Sequence, residues 1–234
     1  MNKTSILALA AVAGLAGQQA VIWLYAPVAQ SGLVQKIFYL HLPLAWWALV
    51  SFLVVFVASL AYLFKRSPGM DALAAAAAEL GVLFAGMVLV TGSLWARAEW
   101  GHWWLWDPKL TTALIMWYVY AGYLVLRAAP IGRERKGLVC AAVGVVAFLD
   151  VPLVFFATTL WGGVHPADTA RKSSGMTPEM WNTVFVGLAA MGLVWLTFLL
   201  IRARQRRSEA LISAEFARQM EAPGANDYSK GASS

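Results

Sequence analysis

The 234-residue chain is 60% hydrophobic and only 13% charged, with a mean hydropathy of +0.65. Soluble domains carry about 25% charged residues, so this composition excludes a water-soluble globular protein. Eighteen Lys and Arg against twelve Asp and Glu leave a formal charge of +6, yet the bases are placed as a membrane-topology signal and not as a nucleic-acid surface.

Six apolar runs, at 5–26, 42–64, 72–95, 110–129, 138–160 and 180–201, each supply about the 20 residues a bilayer requires. Backbone groups cannot stay unpaired in lipid. The fold expected is therefore all-α, a polytopic membrane protein with six transmembrane helices. Lys65, Arg66, Arg127, Arg133, Arg135, Lys136, Arg202, Arg204, Arg206 and Arg207 fall on one side of this arrangement. Lys36, Arg97, Lys109, Arg171 and Lys172 fall on the other. The bias predicts that both termini are cytoplasmic, with weak attraction to anionic membrane lipid as its side effect. The expected organisation is one transmembrane domain over 1–201 and a cytoplasmic tail over 202–234, helical to about Met220 and then disordered.

In chain order, residues 1–26 read either as a signal peptide or as an uncleaved first span, and the run to Pro27 is long enough for the second. The first outer segment ends in His41-Leu-Pro43, with His41 expected just before the second span and Pro43 in its first turn, where no N–H is needed. Gly81, Gly86 and Gly92 in the third span suit close helix packing rather than chemistry. Then comes Trp95-Ala-Arg-Ala-Glu-Trp-Gly-His-Trp-Trp-Leu-Trp-Asp-Pro-Lys-Leu-Thr-Thr112, which sets five tryptophans within twelve residues. Asp107-Pro108 opens the fourth span as N-cap and first helical residue. Asp150 and Pro152 sit mid-way along the fifth span, where an acid is either functional or tied up around a proline kink. The second outer loop carries His165-Pro, and Thr177-Pro178 caps the sixth span. The single cysteine, Cys140, excludes an internal disulfide. No Cys-x-x-Cys-His or P-loop is present, so the chain neither attaches haem covalently nor hydrolyses ATP by that route.

If 100–107 is helical, Trp100, Trp103, Trp104 and Asp107 share one face and form an amphipathic aromatic shelf at the outer surface. The alternative is an interfacial aromatic belt. All three histidines fall on this same side. An imidazole on each side of the shelf would suit the two axial positions of a haem iron, with the macrocycle on the aromatics. Arg97, Lys109, Arg171 or Lys172 would either meet the propionates or simply be solvated.

Trp100-Gly-His-Trp-Trp-Leu-Trp-Asp-Pro-Lys-Leu-Thr111 resembles the tryptophan-rich WWD motif of haem-handling proteins. Together with Val90-Thr-Gly-Ser-Leu-Trp95, six spans and one His on each flanking loop, the chain resembles the CcmC family of bacterial cytochrome c maturation over roughly 30–200. The resemblance implies that haem b is held transiently at the periplasmic face by axial His41 and His165. Trp100, Trp103, Trp104, Trp106 and Asp107 would form the WWD segment, with Trp95, Arg97 and Lys109 beside it. It also implies transfer to the periplasmic chaperone CcmE, with CcmA, CcmB and the single-span CcmD as partners, in the bacterial inner membrane. His102 falls at a variable position of the motif and takes no ligand role.

The expectation is thus a haem-binding delivery protein, not an enzyme. Two other classes stay open. A b-type cytochrome redox subunit usually carries its histidine pairs inside helices, whereas no His is expected inside a span here. A permease moving haem across the bilayer would use polar groups at depth, and Asp150 is the residue that supports it.

Overall fold

The computed structural model describes residues 2–28, 32–165 and 176–221. They form helices α1 (Lys3–Leu24), α2 (Gln35–Lys65), α3 (Pro68–Trp100), α4 (Pro108–Ala128), α5 (Arg133–Ala147), α6 (Asp150–Trp161) and α7 (Pro178–Glu221), and a 3₁₀ turn at Gly32–Val34 leads into α2. Among the described residues there is no strand. Six stretches of the described residues are long and apolar enough to cross a membrane, with α5 and α6 together making the fifth. The chain is a multi-pass, all-helical membrane protein.

The core is the α2–α3 pair, with α4, α5 and α7 packed around it and α1 lying on α7. Ala74 to Ala78 are all buried, and small residues let helix backbones approach closely where lipid supplies no hydrophobic drive. Phe52 fills the space left by Gly81 and stacks on Tyr120 at 3.7 Å. Indole donors in this core are paired: Trp47 Nε1 donates to Leu188 O, Trp117 Nε1 to Val82 O and Trp195 Nε1 to Ser51 Oγ.

Of two prolines inside spans, Pro43 differs from expectation and Pro152 kinks its span as expected. Pro43 is the ninth residue of α2 and not a first-turn residue, because the helix begins at Gln35. Proline has no N–H for the carbonyl four residues earlier, which is that of Tyr39. Gln18 Nε2 from α1 donates to Tyr39 O instead, at 3.3 Å, so the orphaned acceptor is satisfied by a neighbouring helix. The expected span 138–160 is crossed by α5 and α6 together, with the break between them at the proline kink. Pro152 cannot bond to Phe148 O, and the chain crosses the break with shorter-range bonds from Leu149 N–H to Val146 O and from Val151 N–H to Phe148 O, both 3.1 Å. Asp150 starts α6, with Oδ2 buried and without a hydrogen-bond partner.

This break shapes the molecule. α5 packs on α2, but α6 turns away from α2 and packs on α4. A wedge therefore opens between α2, α3, α4 and α6 at one end of the bundle.

The other end is tied by charge. Arg127 pairs with Asp71 at 2.7 Å, Arg202 and Arg206 both bond Glu79, and Arg204 Nη1 donates to Thr4 Oγ1 at 2.8 Å. The start of α1 and the far part of α7 thus lie together at the basic end, away from the wedge.

Candidate functional site

The wedge holds a cavity of about 330 Å³, within the roughly 300–1,000 Å³ range of small-molecule sites. Its floor, two helical turns into the bundle, is apolar: Ala48 and Leu49 from α2, Ala85 and Val88 from α3, Met116 from α4 and Val154 from α6. Its mouth carries the polar and aromatic groups, His41, Trp95, Trp100, Trp104, Lys109 and His165, with Glu99 beside them. Two residues 124 positions apart in sequence, His41 and His165, therefore line one cavity.

His41 does not precede the second span; it is the seventh residue of α2. The expectation that no histidine lies inside a span is corrected with it, and for His41 that argument against a redox subunit falls. Its ring is fixed on three sides by α3. Nδ1 is 2.9 Å from Thr91 Oγ1, Trp95 meets the imidazole edge-on at 6.1 Å, and a Cβ added at Gly92 would stand 3.1 Å from Cε1. Gly92, read from sequence as a packing glycine only, is part of this seat.

The Trp-rich stretch is not helical. α3 ends at Trp100, Gly101 takes the left-handed conformation (φ +77°), and 101–107 runs on as irregular chain until Pro108 starts α4. The reason is local: glycine closes the first helix, and the residue before proline is pushed away from helical geometry. The shared face of Trp100, Trp103, Trp104 and Asp107 consequently does not form. Trp95, Trp100 and Trp104 line the cavity, whereas Trp103 and Trp106 lie outside its lining, 57% and 78% exposed. Arg97 lies over the Trp103 ring at 5.9 Å and bonds Gly101 O, so it braces the loop and not the cavity wall. Ser93 Oγ adds a 2.7 Å bond to Trp103 O. His102 is exposed and outside the lining. Arg171 and Lys172 lie outside the described residues.

Asp107 has two distinct jobs. Oδ1 caps α4, accepting from Lys109 N at 2.8 Å and Leu110 N at 3.3 Å. Oδ2 reaches the loop after α6 and accepts from Val164 N at 2.7 Å and His165 N at 3.3 Å. Gly163 passes so close to Oδ2, at φ +136°, that no side chain fits there. Burial works to raise the carboxyl, but the four backbone N–H donors, from His165, Lys109, Leu110 and Val164, outweigh it and hold Asp107 below the usual carboxylate range. The acid that starts α4 thereby places His165 at the cavity mouth.

Two indole donors here differ from those in the core: Trp95 Nε1 and Trp104 Nε1 are buried without an acceptor. A buried, unpaired N–H costs about 1–3 kcal/mol, so the cavity suits a ligand that brings acceptors. Among the described residues no cluster of three or more His, Cys, Asp or Glu is present to chelate a bare metal ion. The donor set is two imidazoles, apolar walls and aromatic edges, which fits a metal already held in a flat apolar macrocycle. Sequence reasoning missed Thr91 and Gly92. Their signal was available, since Thr91, Gly92 and Trp95 fall at i, i+1 and i+4 and so share one face of α3.

Residues 2–218 match the family described as CcmC, heme exporter protein C. The chain is also similar to a heme exporter protein C of Bradyrhizobium diazoefficiens, at 31% identity over 183 residues covering 78% of this chain and 69% of the relative. One of Rhodobacter capsulatus is 31% identical over 209 residues, covering 83% and 85%. One of Escherichia coli K12 is 29% identical over 175 residues, covering 75% and 71%.

Proposed function

The chain belongs to the heme exporter protein C (CcmC) family, and from that premise we propose that it holds haem b in the cavity between His41 and His165 and hands it to a periplasmic chaperone for cytochrome c maturation. The observation that carries this reading is the pair of imidazoles on one cavity with an apolar floor and an aromatic mouth. Bound there, haem supplies an iron that accepts two imidazole nitrogens. His41 and His165 would take those axial positions. Trp95, Trp100 and Trp104 would contact the macrocycle, and the unpaired indole N–H groups of Trp95 and Trp104 would donate to acceptors that it brings. Lys109 stands at the same rim for a propionate.

The two ligands are held unequally, which suits delivery over permanent retention. His41 sits on a long helix with its ring wedged against α3. His165 sits on a loop whose backbone Asp107 holds by two bonds. Loosening that loop would free one axial position while the other stayed fixed. Trp103 and Trp106, exposed outside the cavity lining, would meet a docking chaperone of the CcmE type. CcmA, CcmB and CcmD are the further partners of this reading. Both termini would be cytoplasmic and the cavity periplasmic, in the bacterial inner membrane, because the bases gather at the end opposite the cavity. Asp150, the basis of a permease reading, does not line the cavity.

The test is to purify the protein, record its spectrum, and compare His41→Ala and His165→Ala. A bis-imidazole, b-type spectrum, substoichiometric and exchangeable, with haem lost in both variants, supports delivery. An unchanged spectrum in the double variant would sink it. Reporter fusions after residues 105 and 168 check the orientation independently, and a cytoplasmic signal at either would reverse it.

A further inference from the structure

The run Val90-Thr-Gly-Ser-Leu-Trp95 has a hydroxyl whose position decides the chemistry of His41. Thr91 Oγ1 lies 2.8 Å from Met87 O and 3.3 Å from Val88 O, on the preceding turn of its own helix. Both are carbonyls and can only accept, and Met87 O is the nearest acceptor to the single hydroxyl proton of Thr91. Thr91 Oγ1 is also 2.9 Å from His41 Nδ1. With its proton on Met87 O, the hydroxyl accepts on that side and Nδ1 carries the hydrogen.

We propose that Thr91 is a positioning residue that locks His41 as the Nδ1–H tautomer and leaves Nε2 with the lone pair for the ligand in the cavity. The inference rests on the reading of His41 as an axial ligand. A neutral imidazole has one donor and one acceptor nitrogen, and the bond made by one nitrogen determines which nitrogen can bind a metal. Thr91 does more than select the tautomer. The acceptor at Nδ1–H raises the donor strength of Nε2, while Gly92 and Trp95 stop the ring from swinging away. One turn of α3 thus supplies orientation, tautomer and basicity to a histidine on α2. Reversing the His41 ring would set the carbon Cδ2 against Thr91 Oγ1 and forfeit this bond, and the other tautomer would set a bare nitrogen against an oxygen whose proton is turned to its own helix.

The experiment uses the full chain in detergent, first free of haem and then titrated with haem. Nitrogen-15 labelled histidine, assigned with His102→Ala and His165→Ala, reports which His41 nitrogen is protonated before any haem is added. Wild type and Thr91→Ser should show protonated Nδ1; Thr91→Val, which keeps the shape and removes the acceptor, should lose that preference. Haem affinity should fall about 10-fold or more in Thr91→Val, the usual effect of removing a partner from a metal-bound histidine, and Thr91→Ser should restore it. The midpoint potential of haem remaining on Thr91→Val should move positive, because a weaker donor favours ferric iron less. A wild-type His41 protonated at Nε2 would overturn the proposal. So would wild-type affinity and potential in Thr91→Val while His41→Ala loses haem, an outcome that leaves His41 as ligand. If His41→Ala keeps haem and spectrum unchanged, the axial reading fails and the proposal fails with it. If Thr91→Val does not fold, the wild-type tautomer and the Thr91→Ser titration still decide the matter.

Discussion

Replacing Asp107 separates helix capping from the placement of His165. Asn ranks with Asp as an N-cap, so Asp107→Asn keeps an oxygen for Lys109 N and Leu110 N. Its second terminal atom becomes an NH₂ donor facing two further donors, Val164 N–H and His165 N–H. The 2.7 Å bond to Val164 is fully lost and the 3.3 Å contact to His165 adds a fraction. At about 1.5–3 kcal/mol for a hydrogen bond to a charged group, the loss is about 2–3 kcal/mol. That is roughly 25- to 150-fold in the docked population of His165, at 1.4 kcal/mol per factor of ten. Haem titration of the haem-free protein, with thermal unfolding in parallel, reads both consequences. Asp107→Asn should unfold between wild type and Asp107→Ala, and bind haem at least about tenfold more weakly than wild type. Asp107→Ala should lose both, because the missing cap costs about 1 kcal/mol more. Added imidazole should restore a six-coordinate spectrum in either variant. Wild-type affinity in Asp107→Asn, with His165 still ligating, would refute the tether. Sequence alone predicts Asn to be the milder change; the second oxygen restricts that mildness to folding.

The depressed carboxyl of Asp107 sets a sign for pH. Its contribution to stability is complete above the unfolded carboxyl value of about 3.9 and is lost as pH falls through the lower folded value. Thermal scans of the haem-free protein should therefore show an acid limb below about pH 4 that Asp107→Asn flattens. Among the tryptophans, Trp104→Ala should weaken haem binding by about 1.5–2.5 kcal/mol, roughly half the core value for a partly buried ring. Trp103→Ala and Trp106→Ala, outside the lining, should change binding to the isolated protein by about 0.5 kcal/mol or less; equal losses in all three would restore a single continuous shelf. Gln18→Leu should leave Tyr39 O unpaired and destabilise the bundle by about 1–3 kcal/mol, read as a lower unfolding temperature, with Gln18→Asn too short to repair it.

The spans, the basic end and the Asp107-Pro108 start of α4 were all readable in the sequence. Their causes are local: apolar length over 20 residues, charge beside a span, and a cap that acts within one turn. The Trp-rich stretch stood out in the sequence as the candidate site, but its shape did not. A helical projection assumes a continuous helix, and Gly101 with Pro108 ends one and starts another within eight residues. Other features needed the tertiary structure. Gln18 compensates Pro43 from 25 positions away, so His41 can lie inside α2 rather than ahead of it. Pro152 marks a break in the sequence, but only packing shows α6 leaving α2 for α4 and opening the cavity. The partners that fix the two histidines, Thr91 for His41 and Asp107 for His165, stand 50 and 58 positions away. No periodicity connects residues that far apart. Their pairing follows from which helix faces meet, and that is determined by the summed packing of the whole bundle, not by any one segment.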